Sequence, residues 1–97
     1  MITASIVTFH NDIIQLQGCI DSVLKFVDKL YISDNSFNKD IEKLCVAKSI
    51  EYHHNGKNLG FGRAHKIVID KAILEGSDYH SIVNPDIFFS EDVVSPM

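Results

Sequence analysis

Four short apolar segments, at 2–9, 29–33, 50–53 and 79–83, alternate with three stretches whose apolar residues recur at three-four spacing. The first segment is rich in β-branched and aromatic residues and nearly continuous in apolar character towards its end, which predicts a strand covered on both faces of a parallel sheet. His10-Asn11-Asp12 breaks it, and Asn11 or Asp12 can cap a helix carrying Ile13, Leu16, Ile20, Val23, Leu24 and Val27 on one stripe. Ile41, Leu44, Cys45 and Lys48 outline a second helix, and Ala64, Ile67, Val68, Ala72 and Ile73 a third, with Gly76 as its C-terminal cap. Strands alternating with helices predict an α/β fold, a mainly parallel sheet with flanking helices and right-handed crossovers.

A chain of 97 residues is one domain at most. Its 45% hydrophobic and 23% charged content fits a packed globular core and excludes a disordered or low-complexity segment. The formal charge of -4 is spread without basic blocks, which argues against a nucleic-acid surface, because binding phosphates needs clustered Lys and Arg. Cys19 and Cys45 fall on apolar helix positions and read as small buried hydrophobes in a reducing compartment. The apolar run at the amino terminus lacks a preceding Lys or Arg and ends at Phe9, too short for a signal sequence or membrane span. The expected location is the cytoplasm.

In a parallel sheet, ligands bind beyond the carboxyl ends of the strands. The polar residues of this chain gather at those ends: Thr8 and His10 after the first strand, Asp34 after the second, the glycine-punctuated loop 55–62 after the third, and Asn84-Pro85-Asp86 after the fourth. A divalent ion such as Mg²⁺ or Mn²⁺ prefers carboxylate oxygens, and glycines let a backbone approach a phosphate, so the set suits a nucleotide diphosphate. Read singly, Asn84-Pro85-Asp86 is a turn tripeptide and the loop an ordinary helix start. Gly60-x-Gly62 is not a dinucleotide fingerprint: it follows the third strand, and His65 stands where a third glycine belongs. His53 and His54 point to opposite strand faces and cannot readily share one ion. His65 and His80 have no ligand-like spacing to a third group and receive no role.

The segments Ile6-Val7-Thr8-Phe9-His10-Asn11, Cys19-Ile20-Asp21-Ser22-Val23-Leu24, Ile32-Ser33-Asp34-Asn35-Ser36, Asn58-Leu59-Gly60-Phe61-Gly62-Arg63-Ala64-His65 and Val83-Asn84-Pro85-Asp86 carry a resemblance across the whole chain. It resembles the amino-terminal, nucleotide-binding half of inverting glycosyltransferases with the GT-A fold, particularly bacterial rhamnosyltransferase-like members. The resemblance implies a Rossmann-like donor half that binds a nucleotide diphosphate sugar. Thr8 and His10 would flank the base, Asp34 would hydrogen-bond base or ribose, and Asp86 would hold the metal. Asn58, Gly60 and Arg63 would lie along the phosphates or sugar, and Asn84 would bond ribose or a metal-bound water. Where the wider family has Asp-x-Asp, this chain has Asn84, which puts strict metal dependence in question. The implied reaction transfers a sugar to a saccharide or lipid-linked acceptor hydroxyl in polysaccharide synthesis, with the full-length protein peripheral to the inner membrane. The acceptor-binding half and the catalytic base are expected beyond Met97, since Glu91 and Asp92 read better as a solvated helix start. A donor half alone is expected to self-associate through Phe88 and Phe89.

Two other readings remain open. A sugar nucleotidyltransferase would carry a glycine-rich, basic loop after the first strand, and His10-Asn11-Asp12 is neither. A noncatalytic binding module would need only surface complementarity.

Overall fold

A computed structural model describes residues 1–84 of the chain. The elements run β1 (Ile2–Thr8), α1 (Ile13–Leu24), β2 (Lys29–Asp34), α2 (Asp40–Ala47), β3 (Glu51–His54), α3 (Phe61–Leu74) and β4 (Tyr79–Val83). The strands form one all-parallel sheet in the order β3-β2-β1-β4, flanked by the helices. The chain steps outward from β1 to β3, then α3 carries it back across the sheet to β4 on the other side of β1. That reversal puts α1 and α2 on one face and α3 on the other.

Each helix has a local reason to begin or end where it does. The Asp12 carboxylate accepts from the Ile14 and Gln15 amides at 2.9 and 3.1 Å, satisfying donors that the first turn of α1 would otherwise leave bare. At the far end of α3, Gly76 sits at φ 92, and the amides of Gly76 and Ser77 return to the carbonyls of Ile73 and Ala72. That pattern is a left-handed glycine stop, as the sequence predicts.

The two faces of the sheet differ chemically. Ala4, Ile6, Leu30 and Ile32 meet Leu16, Cys19, Ile20 and Val23 of α1 and Ile41 and Cys45 of α2 in one apolar core. On the α3 face, Val68 and Ala72 pack on Tyr31, while Thr3, Ser5 and Ser33 are fully buried and polar. So β1 is covered on both sides, as expected, but only one side is apolar. The hydroxyls of the other are tolerated because they are hydrogen-bonded. Both cysteines are buried and free.

Charges collect at the amino end of the sheet. Lys29 bridges Glu51 at 3.0 Å and Glu75 at 2.8 Å, Lys71 pairs with Glu51, and the Met1 ammonium pairs with Asp78. The carboxyl end holds no ion pair among the described residues, and the one buried carboxylate described there, Asp34, is met by uncharged donors.

Candidate functional site

A cleft of about 290 Å³ opens at the carboxyl ends of the strands, lined by Val7, Thr8, Phe9, Asn11, Asn35, Asn58, Phe61 and Asn84. Its walls come from the loops after β1, β2, β3 and β4. It therefore straddles the place where the strand order reverses, between β1 and β4, the usual ligand position in an open parallel sheet. The volume lies just below the roughly 300–1,000 Å³ common for ligand pockets, enough for a nucleoside-sized group.

Of the residues expected to touch a nucleotide, Thr8, Asn58 and Asn84 line this cleft. Asp34 lies beneath it. Its carboxylate is fully buried and accepts from the Thr8 hydroxyl at 2.9 Å, the Tyr52 phenol at 2.5 Å and the Ser36 amide at 2.9 Å. Burial and that carboxylate raise the Tyr52 phenol well above its ordinary range, so Tyr52 stays a donor. Burial, with Asp34 beside it, pushes the Cys45 thiol up to about 12.

His10 stands outside the cleft lining at the exposed rim, with φ 50. Its amide donates to the Ser36 hydroxyl at 2.7 Å, and its Nε2 accepts from the Phe37 amide at 3.1 Å, tying the loop after β1 to the loop after β2. The ring also meets Phe9 edge-on at 4.8 Å and Phe37 at 5.2 Å. Arg63 is exposed on the first turn of α3 and does not line the cleft. Gly60 precedes that turn at φ 83 and ψ 168, a region open essentially to glycine alone. The expectations for Pro85, Asp86, Phe88, Phe89, Glu91 and Asp92 fall outside the described residues.

An asparagine ladder holds the glycine loop in place. Asn55 Nδ2 donates to Ser33 Oγ at 2.9 Å and Asn35 Oδ1 at 2.8 Å, and Asn35 Nδ2 donates to Asn58 Oδ1 at 3.2 Å. Asn58 Oδ1 also takes the Gly60 amide at 2.9 Å. With its oxygen engaged twice, Asn58 has its Nδ2 left to donate, an orientation assigned from the bonding pattern. Sequence reading had no role for Asn35, Phe61 or Tyr52. The available signal was the repeated Asn at successive strand ends, 11, 35, 55, 58 and 84.

No family model, curated protein or solved structure matches the chain. Among the described residues, no group of three or more His, Cys, Asp or Glu is placed to hold a metal ion. Nor is any helix among them long and apolar enough to cross a membrane.

Proposed function

We propose that the cleft binds the nucleotide of a nucleotide diphosphate sugar and that the chain is the donor-binding part of a glycosyltransferase. The observation that carries the reading is the cleft's position at the strand-order reversal between β1 and β4. Its lining supports it. Phe9 and Phe61 offer apolar ring surface to a base or sugar, Asn58 Nδ2 is left to donate, and Thr8, Asn11, Asn35 and Asn84 make the rest of the lining polar without charge. The exposed cations Lys57, in the loop between β3 and α3, and Arg63, in the first turn of α3, lie close in sequence to the first amides of α3, which have no side-chain cap and favour negative charge.

The reaction is attack by an acceptor hydroxyl on the anomeric carbon, breaking its bond to the diphosphate, which leaves with the electron pair. The described residues bind and orient the donor. The base that takes the acceptor proton is expected on a later segment, as is the metal contribution at Asp86.

Thermal unfolding with UDP, dTDP and GDP, each with and without Mn²⁺, tests the reading. A ligand at a hundred times its Kd should stabilise the fold by about 2.7 kcal/mol. Asn58→Ala, which removes a cleft donor, should abolish the rise in Tm. If no nucleotide shifts the Tm of a folded sample, the reading fails. A flat panel together with specific capture of a protein partner would favour the binding module.

A further inference from the structure

Beneath the first turns of α3 runs a chain of polar groups outside the cleft lining, with Thr3, Ser5 and His65 buried and His80 half-buried. Thr3 Oγ1 meets His80 Nδ1 at 2.8 Å, His80 Nε2 meets Ser5 Oγ at 2.9 Å, and Ser5 Oγ meets His65 Nδ1 at 2.7 Å. Thr3 Oγ1 also meets Ser77 Oγ at 2.7 Å and the Tyr79 carbonyl at 3.2 Å, and these give its own proton partners outside the chain. His65 is 2% exposed, and its Nε2 is buried without a hydrogen-bond partner among the described residues.

With the Thr3 proton on Ser77 or the Tyr79 carbonyl, counting protons assigns the tautomers. Ser5 and the two neutral imidazoles bring one proton each, and the three bonds between Thr3, His80, Ser5 and His65 need one each. His80 then carries its proton on Nδ1, Ser5 donates to His80 Nε2, and His65 carries its proton on Nδ1. His65 Nε2 is left bare, as its lack of a partner requires. A fourth proton has one place to go, that same Nε2, where it finds no acceptor and creates a buried cation.

The groups packed around His65 offer that cation no compensation. β1 supplies only Thr3 and Ser5, and β4 supplies His80. The Tyr31 phenol of β2 is taken by Glu75, and Lys29 lies over its ring at 5.1 Å. On α3 itself Arg63 is exposed, and Lys66 and Asp70 pair with each other at the surface. No carboxylate is bonded to either imidazole among the described residues. Phe61, which lines the cleft, rests edge-on against His65 with ring centroids 4.4 Å apart.

We infer that the Thr3-His80-Ser5-His65 chain is an acid-sensitive lock: it seats the first turn of α3 on the sheet while both imidazoles are neutral and releases that turn, with the Phe61 wall of the cleft, when His65 takes a proton. Release lets the imidazolium reach water. The inference does not depend on what the cleft binds. Burial, with His80 adding to it, lowers His65 to about 4, and burial lowers His80. Both groups are depressed in the folded state, so the closed turn is fully favoured above the unfolded value of about 6.5 and is lost as pH falls towards 4.

Amide hydrogen exchange at residues 64–68, the first amides of α3 that bond back into its opening turn, corrected for the intrinsic pH dependence of exchange, measures the opening directly. In the wild-type chain the opening constant should rise about tenfold for each pH unit between about 6.5 and 4, the linkage of one proton. His65→Asn keeps an amide beside Ser5 but cannot titrate, and its corrected exchange should lose the steep pH dependence of the wild type, leaving only what His80 contributes. Ser5→Ala, which cuts the chain but keeps both imidazoles, should exchange faster in this turn already at pH 7.5. Should His65→Asn fail to fold, an NMR titration of the wild-type ring decides: opening must track protonation of His65. Corrected exchange in the wild type that is equal at pH 7.5 and 5, or a His65 ring that titrates without any change in exchange, overturns the lock.

Discussion

Asp34 shows how one side chain can organise a site from underneath. Three donors converge on its buried carboxylate, from β1, from β3 and from its own turn. Hydrogen bonds to a charged acceptor contribute about 1.5–3 kcal/mol each, so Tyr52→Phe should lower stability by that amount in urea unfolding at pH 7. A loss under about 0.5 kcal/mol would mean that the bond is dispensable, since that is the scatter of neutral surface changes. Sequence reading placed Asp34 at a strand end but had no view of its partners. Thr8 and Tyr52 lie 26 and 18 residues away, and only the pairing of the strands brings them to the same face. The same blindness explains His65 and His80. Judged by spacing they are isolated histidines, yet Ser5 joins them across α3, β1 and β4.

At the level of elements, the order of strands and helices was legible throughout, because each segment's periodicity is local. β4 spans 79–83 as predicted. The differences are at ends. The first strand stops at Thr8 rather than Phe9, since Thr8↔Asp34 is the last register with β2, and a strand's length depends on its neighbour. α1 stops at Leu24, yet Val27 still packs on the core from the turn that follows, so the apolar spacing runs past the helix itself. The start of α3 depends on backbone rather than side chain: it has no side-chain cap and relies on Gly60 in a conformation that L side chains rarely adopt. A Cβ at Gly60 would meet nothing within 4 Å, so Gly60→Ala isolates the backbone term. It should cost about 1–3 kcal/mol in chemical unfolding. A neutral result would show that α3 can begin without the left-handed residue.

For the whole molecule, the sheet divides into an apolar side and a hydrogen-bonded side. Ile32→Ala on the apolar side should destabilise by about 2–5 kcal/mol through lost burial and the cavity left behind. Ile82→Ala, at a side chain 54% exposed on the other side, should stay within about 0.5 kcal/mol by the same denaturant titration. Equal losses would show that the two faces share the load. The strand order carries a further consequence, for the time course of synthesis. β1 leaves the ribosome first and finds β2 soon afterwards, where Thr3 meets Lys29, but its other edge waits until Tyr79 emerges to meet Ile2. Closing that longer loop costs only about 1 kcal/mol more in chain entropy than closing the shorter one, because the cost grows with the logarithm of length. The delay is therefore one of arrival rather than of energy. Throughout it, the nascent chain presents an open strand edge, and the element that seals it is the last of the four to be made.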